Sequence, residues 1–206
     1  MRSLLAVVFL VVPLQADDKP AHEQSKIKPP ESASQPIRDL LGEKALRVSV
    51  GKQRLTVWLR TDWPLKPKAT DASLRPGALA GLISCAEPWT DFRGQELSAG
   101  IYTLRYARQP ASTDHEDTSP SPDFLILCPV ADDRDPADLA FPALKKLSGK
   151  ASGGTHPAVL VLLPPGKREP GLFHPKESWL AIQWNWTTAK GDRPMAAIIS
   201  GVWNGK

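Results

Sequence analysis

Apolar and polar residues alternate with period two over much of the chain, which is the pattern of half-buried strands. Leu55, Val57 and Leu59 share one face of residues 53–60, while Thr56, Trp58 and Arg60 share the other. With residues 45–50 this segment flanks Gly51-Lys52, a two-residue hairpin signal. Further strands are predicted over 78–85, 101–108, 123–130, 158–163, 179–186 and 195–203. Two of them are continuously apolar, at Phe124–Cys128 and Ala158–Leu163, as expected of strands covered on both faces. A single short helix interrupts the series. Asp135-Pro136 is a candidate first turn, and Pro142 starts a turn carrying Leu144 and Leu147 ahead of Gly149 and Gly153-Gly154. The expected architecture is mainly β, an antiparallel β-sandwich of about eight strands with one short helix over residues 40–206.

The two ends of the pattern read differently. Arg2 precedes an apolar run from Leu4 to Val12, followed by Ala16 and Asp17-Asp18, the order of a secretory signal peptide over residues 1–16. The run is too short to span a bilayer, so no transmembrane segment is expected once the signal is removed. Export to the periplasm or the medium follows. Residues 17–39 hold several prolines, lysines and serines and few apolar side chains, and they read as a disordered linker.

Composition adds constraint. The 206 residues include 21 prolines, which argues against long helices. The formal charge of +4 is too small to point to nucleic acid. It is unevenly spread. Residues 114–138 carry eight acids against Arg134, and a zone of this kind either binds cations or is solvated loop. Cys85 and Cys128 are the only cysteines. In an oxidising compartment they point to one disulfide closing a loop of about 43 residues, worth ~3–4 kcal/mol in the chain-entropy model; two buried free thiols are the alternative.

Motifs for chemistry fail one by one. None of the Gly-Lys pairs has the upstream glycine of a phosphate loop, no serine sits in a nucleophile elbow, and no His-Glu-x-x-His is present. No cofactor is expected. Polar residues at predicted strand ends are the remaining candidates for a binding site: Gln109, Asp114, His115, Asp123 and His156. His115, Asp123 and His156 have the side chains to hold a divalent metal, and a metal-dependent hydrolytic site there is the alternative reading. Trp58, Trp63, Trp89 and Trp179, if exposed, could stack on sugar rings.

The blocks Ala99-Gly100-Ile101-Tyr102-Thr103-Leu104-Arg105-Tyr106, Gln109-Pro110, Asp114-His115, Asp123-Phe124-Leu125 and His156-Pro157-Ala158-Val159-Leu160 occur in a fixed order. In that order they resemble a family of uncharacterised exported bacterial β-sandwich proteins. The resemblance covers roughly residues 95–165 and implies no activity. The reading reached is an exported, non-enzymatic protein that binds or scaffolds, with a carbohydrate or protein partner.

Overall fold

The computed structural model describes residues 19–62, 74–109, 119–154, 156–186 and 192–203. The signal-peptide reading therefore lies outside the described residues. The first half holds β1 (Ala21–Lys26), α1 (Gln35–Arg38), β2 (Leu41–Val50), β3 (Gln53–Arg60), β4 (Leu79–Cys85), β5 (Trp89–Thr90), β6 (Glu96–Leu97) and β7 (Gly100–Arg108). The second holds β8 (Asp123–Pro129), α2 (Phe141–Ser152), β9 (Ala158–Leu163), β10 (Gly171–Phe173), β11 (Leu180–Trp186) and β12 (Arg193–Ser200).

The protein is mainly β and antiparallel, as the alternation predicts. It is not a sandwich of eight strands. Among the described residues one ten-stranded sheet runs β1-β2-β3-β4-β7-β8-β9-β12-β11-β10, and β5-β6 form a small separate hairpin. The large sheet curls until its first strand meets its last: the His22 ring lies 3.5 Å from where a Cβ on Gly171 would stand. The result is a nearly closed barrel, which removes most of the exposed strand edge a flat sheet would carry. Alternation cannot distinguish the two architectures. Both bury one face of each strand, and only the order of neighbours separates them.

Period two sorts the apolar side chains. Leu46, Leu55, Ile83, Leu104, Leu125 and Ile182 point inward with their row-mates and fill the barrel. The remaining interior void is about 20 Å³, too small to hold a ligand. Outside, Phe124, Ile126, Cys128, Val159 and Val161 on β8 and β9 are covered by Leu144 of α2, by Phe92 and by Trp179. That double cover explains the unbroken apolar runs. A third cluster packs Ala33 and Ile37 against Ala45, Trp58 and Leu82 on the outer face of β2, β3 and β4.

The linker expectation is overturned. Residues 21–26 form β1, paired in register with β2 from Ala21↔Ser49 to Lys26↔Lys44. Beyond it Ala33 and Ile37 are buried, and Trp58 donates its indole N–H to the Ile27 carbonyl at 2.8 Å. The segment lacks apolar residues because β1 borders a solvated gap rather than the core. The expected short helix is Phe141–Ser152, with Pro142 in its first turn, while Asp135-Pro136 stays in the preceding loop. α1 is a second, one-turn helix that the pattern does not predict.

Candidate functional site

The barrel has two ends, and they separate the residues expected to converge. Asp123 opens β8 beside the end of β9, since Phe124 pairs with Val161. Gln109 lies at the same end, its backbone N–H donating to the Pro122 carbonyl at 2.7 Å. His156 precedes β9 at the opposite end, where its carbonyl accepts a hydrogen bond from Ser152 Oγ at 3.0 Å. Six residues of extended chain place it on the order of 20 Å from Asp123. Asp123 and His156 therefore cannot ligate one metal. Asp114 and His115 lie outside the described residues, among which no group of three acidic, histidine or cysteine side chains could hold a metal.

Asp123 has a local role. Its Oδ1 accepts the Tyr106 hydroxyl at 2.5 Å and Arg108 Nη1 at 3.4 Å. Burial, with the Asp123 carboxylate beside it, raises the Tyr106 phenol well above its ordinary pKa. The group borders an open cleft of about 340 Å³ walled by Leu162, Pro164, Pro165 and Pro194.

The expected disulfide is absent. Cys85 on β4 and Cys128 on β8 are free and buried. β7 runs between their strands, pairing Gly100 with Cys85 and Thr103 with Cys128. Two strand spacings already exceed the Cα separation a disulfide tolerates. The side chains also face apart, Cys85 into the barrel and Cys128 under α2. Burial pushes both thiols up to about 12, that of Cys128 with a smaller contribution from Asp133.

Among the described residues the candidate tryptophans do not form a sugar platform. Trp58, Trp89 and Trp179 are buried, and Trp89 donates its N–H to the Ile199 carbonyl at 3.2 Å. Trp179 packs edge-on to Phe92 with 4.8 Å between ring centroids. Trp63 lies outside the described residues.

Much of the acidic zone is used by the fold. Asp133 forms a buried bidentate pair with Arg105, at 2.6 Å from Nε and 2.8 Å from Nη2. The other Arg105 donors reach the carbonyls of Gly77, Ala137 and Asp135, and Thr103 Oγ1 donates to Asp133 Oδ2. Asp138 pairs with Arg75 and Asp132 with Lys150. Sequence reasoning also missed Asp91. Buried in the β5–β6 turn, it accepts the N–H groups of Arg93, Gln95 and Val159 at 2.9–3.0 Å and so ties the hairpin to β9. Burial raises its pKa, while those three donors oppose the rise. Gln183 is likewise buried, accepting from Gly166 N–H at 3.0 Å and donating to the Arg168 carbonyl.

One large concavity remains. Where the barrel fails to close, a cleft of about 760 Å³ lies between β1-β2 and β11. Its walls include His22, Gln24, Lys26 and Lys44 on one side and Trp184 and Asn185 on the other. The register fixes their directions. Gln24 sits opposite Leu46 and Lys26 opposite Lys44, so His22, Gln24, Lys26 and Lys44 share the inward row of Leu46. β10 closes the lower part of the seam and starts only after Pro170, which has no N–H to give a ladder. Comparison with family models, curated proteins and solved structures found no match.

Proposed function

We propose that this is an exported, non-enzymatic protein that binds or scaffolds a partner through its outer surface. The observation that carries the reading is where the polar groups and the space lie. The barrel lumen is filled by apolar side chains, so it is no ligand chamber of the kind larger barrels enclose. The buried polar groups Asp91, Arg105, Asp133 and Gln183 direct their hydrogen bonds to loops and strands of the fold itself. The open seam, at about 760 Å³, is a concavity well within the size range of a binding site. Export is supported by the order of charge, apolar run and small residue over 1–16, and it agrees with the resemblance drawn from the blocks of residues 95–165. No helix among the described residues is long and apolar enough to cross a membrane.

Cell fractionation with intact-mass measurement tests the first half: the protein is expected outside the cytoplasm, beginning at Asp17. Retention in the cytoplasm with residues 1–16 attached refutes export. Elemental analysis of the purified protein tests the second, with no stoichiometric divalent metal expected. One metal per chain, together with a hydrolytic turnover lost on chelation, would overturn the non-enzymatic reading.

A further inference from the structure

The seam has a geometry more specific than a cleft. Every pairing in the large sheet is antiparallel, and eight steps separate β1 from β11, so these two strands run in the same direction. A single strand laid between them is antiparallel to both. β10 is such a strand, but only for three residues, opposite Ala181, Ile182 and Gln183. Past Gly171 the chain leaves that line at Pro170, and the loop is held aside by Gln183 through Gly166 and Arg168. Along the vacated line, and among the described residues, Glu23–Lys26 of β1 have β2 as their one paired strand, and Asn185 and Trp186 of β11 have β12 as theirs. Two open edges in matching polarity face each other across the cleft.

We infer that this slot accepts an extended segment of a partner protein, about four residues long, which adds as a strand in line with β10 and completes the barrel. The inference rests on the surface-binding reading and names its partner. Main-chain hydrogen bonds to both edges supply affinity, and side chains alternate between inside and outside. The inward row selects chemistry. Leu46, Leu59 and Trp184 offer apolar contact, while Lys26 and Lys44 bring positive charge to the same row. Glu23 on the outer row is held by Arg47 at 3.0 Å, and Lys26 meets Glu43 only at 4.0 Å with both side chains more than four-fifths exposed. An exposed pair of that kind is weak and yields to a better partner. The favoured guest therefore carries a carboxylate and an apolar residue on its inward face.

The test uses the purified full chain and a fluorescent seven-residue peptide, Thr-Glu-Thr-Leu-Thr-Glu-Thr, read by anisotropy. Saturable one-to-one binding is expected, at least tenfold tighter than for the peptide with Lys in place of Glu. Proline in place of the threonines flanking leucine should abolish binding, because it removes ladder donors. The K26E/K44E double variant changes two exposed residues and should reverse the Glu-over-Lys preference, with an unchanged circular-dichroism melt certifying its fold. Binding that ignores both the prolines and the charge reversal overturns the slot, as does no binding of any peptide. Sedimentation showing a dimer that K26E/K44E disrupts would make a second copy the occupant and overturn the partner-segment proposal. None of these failures bears on the non-enzymatic reading, which stands or falls on the metal and turnover measurements.

Discussion

Replacing Asp133 with asparagine should cost the fold about 3–5 kcal/mol, the range for removing one member of a buried ion pair and leaving the other uncompensated. The structure gives the reason. Arg105 is fully buried, Asp133 is 3% exposed, and they exchange two short charge-assisted hydrogen bonds. Each such bond contributes roughly 1.5–3 kcal/mol, which brings the pair to the same range. Asparagine keeps one acceptor oxygen and turns an amide donor toward the guanidinium, so one bond is replaced by a donor–donor contact. For a domain of this size the loss corresponds to a melting point about 6–20 °C lower. Urea unfolding followed by far-ultraviolet circular dichroism and tryptophan fluorescence measures it directly. The partner variant Arg105→Met should cost a similar amount. The double variant Arg105→Met/Asp133→Asn should cost less than the two single losses added together, since no buried charge is left alone. It should still be less stable than the parent, because the carbonyls of Gly77, Ala137 and Asp135 lose their donors. A D133N loss below about 1 kcal/mol, or strict additivity of the two single variants, would refute the assignment of this pair as the pin between the barrel and residues 131–139.

Gly81→Ala should lower soluble yield or cost more than about 3 kcal/mol, because a Cβ there would stand 2.1 Å from the Trp58 carbonyl on the paired strand; Gly51→Ala meets no atom and, at φ +55°, should cost about 1 kcal/mol by urea titration. Native protein at pH 8 should leave both thiols unreacted with a chromogenic disulfide reagent, and guanidinium should release two. Stability should fall as pH rises above about 9, since the unfolded chain ionises its thiols there while the folded chain keeps them protonated to about 12; a Cys85→Ala/Cys128→Ala variant should show a shallower fall in urea midpoint between pH 8 and 10.5. Asp91→Asn should cost about 2–4 kcal/mol in the same assay, because the amide NH2 faces the Val159 N–H in one orientation and both the Arg93 and Gln95 N–H groups in the other.

Local structure was open to sequence reasoning wherever one residue type decides it. β3 runs Gln53–Arg60 as the alternation requires, with its turn at Gly51-Lys52. The continuous runs at 124–128 and 158–163 are indeed covered on both faces. What escaped has a common cause. β1 carries no apolar row, because the inward side of His22, Gln24 and Lys26 faces a wet gap, and a strand without an apolar face is indistinguishable from a tail. The cysteines could be placed on strands but not on faces of a shared sheet, since that depends on β7 lying between them. Asp123 and His156 both sit at strand ends, yet nothing in the sequence says which end, and antiparallel order sends them to opposite ones. Arg105 did leave a signal. A charged residue centred in the run Tyr102–Ala107 demands a buried counter-charge, and the acids of 132–138 were the available source.

The acidic stretch and the polar N-terminal segment invite the same composition-based reading, as solvated chain, and the fold uses them in opposite ways. Asp132, Asp133 and Asp138 are matched one to one with Lys150, Arg105 and Arg75, so that much of the charge is consumed in fastening a loop to the barrel wall. Lys26 and Lys44 are arranged differently, on the inward row of two strands whose neighbours fill a core. A barrel closing for stability alone would place apolar side chains there and extend β10 along the whole of β11. Pro170 ends β10 early, and Gln183 anchors the departing loop. The interruption is thus built by specific residues rather than by lack of chain. A maintained opening, edged by strands of matching polarity and lined by uncompacted charge, is the arrangement a sheet needs to admit a strand from elsewhere.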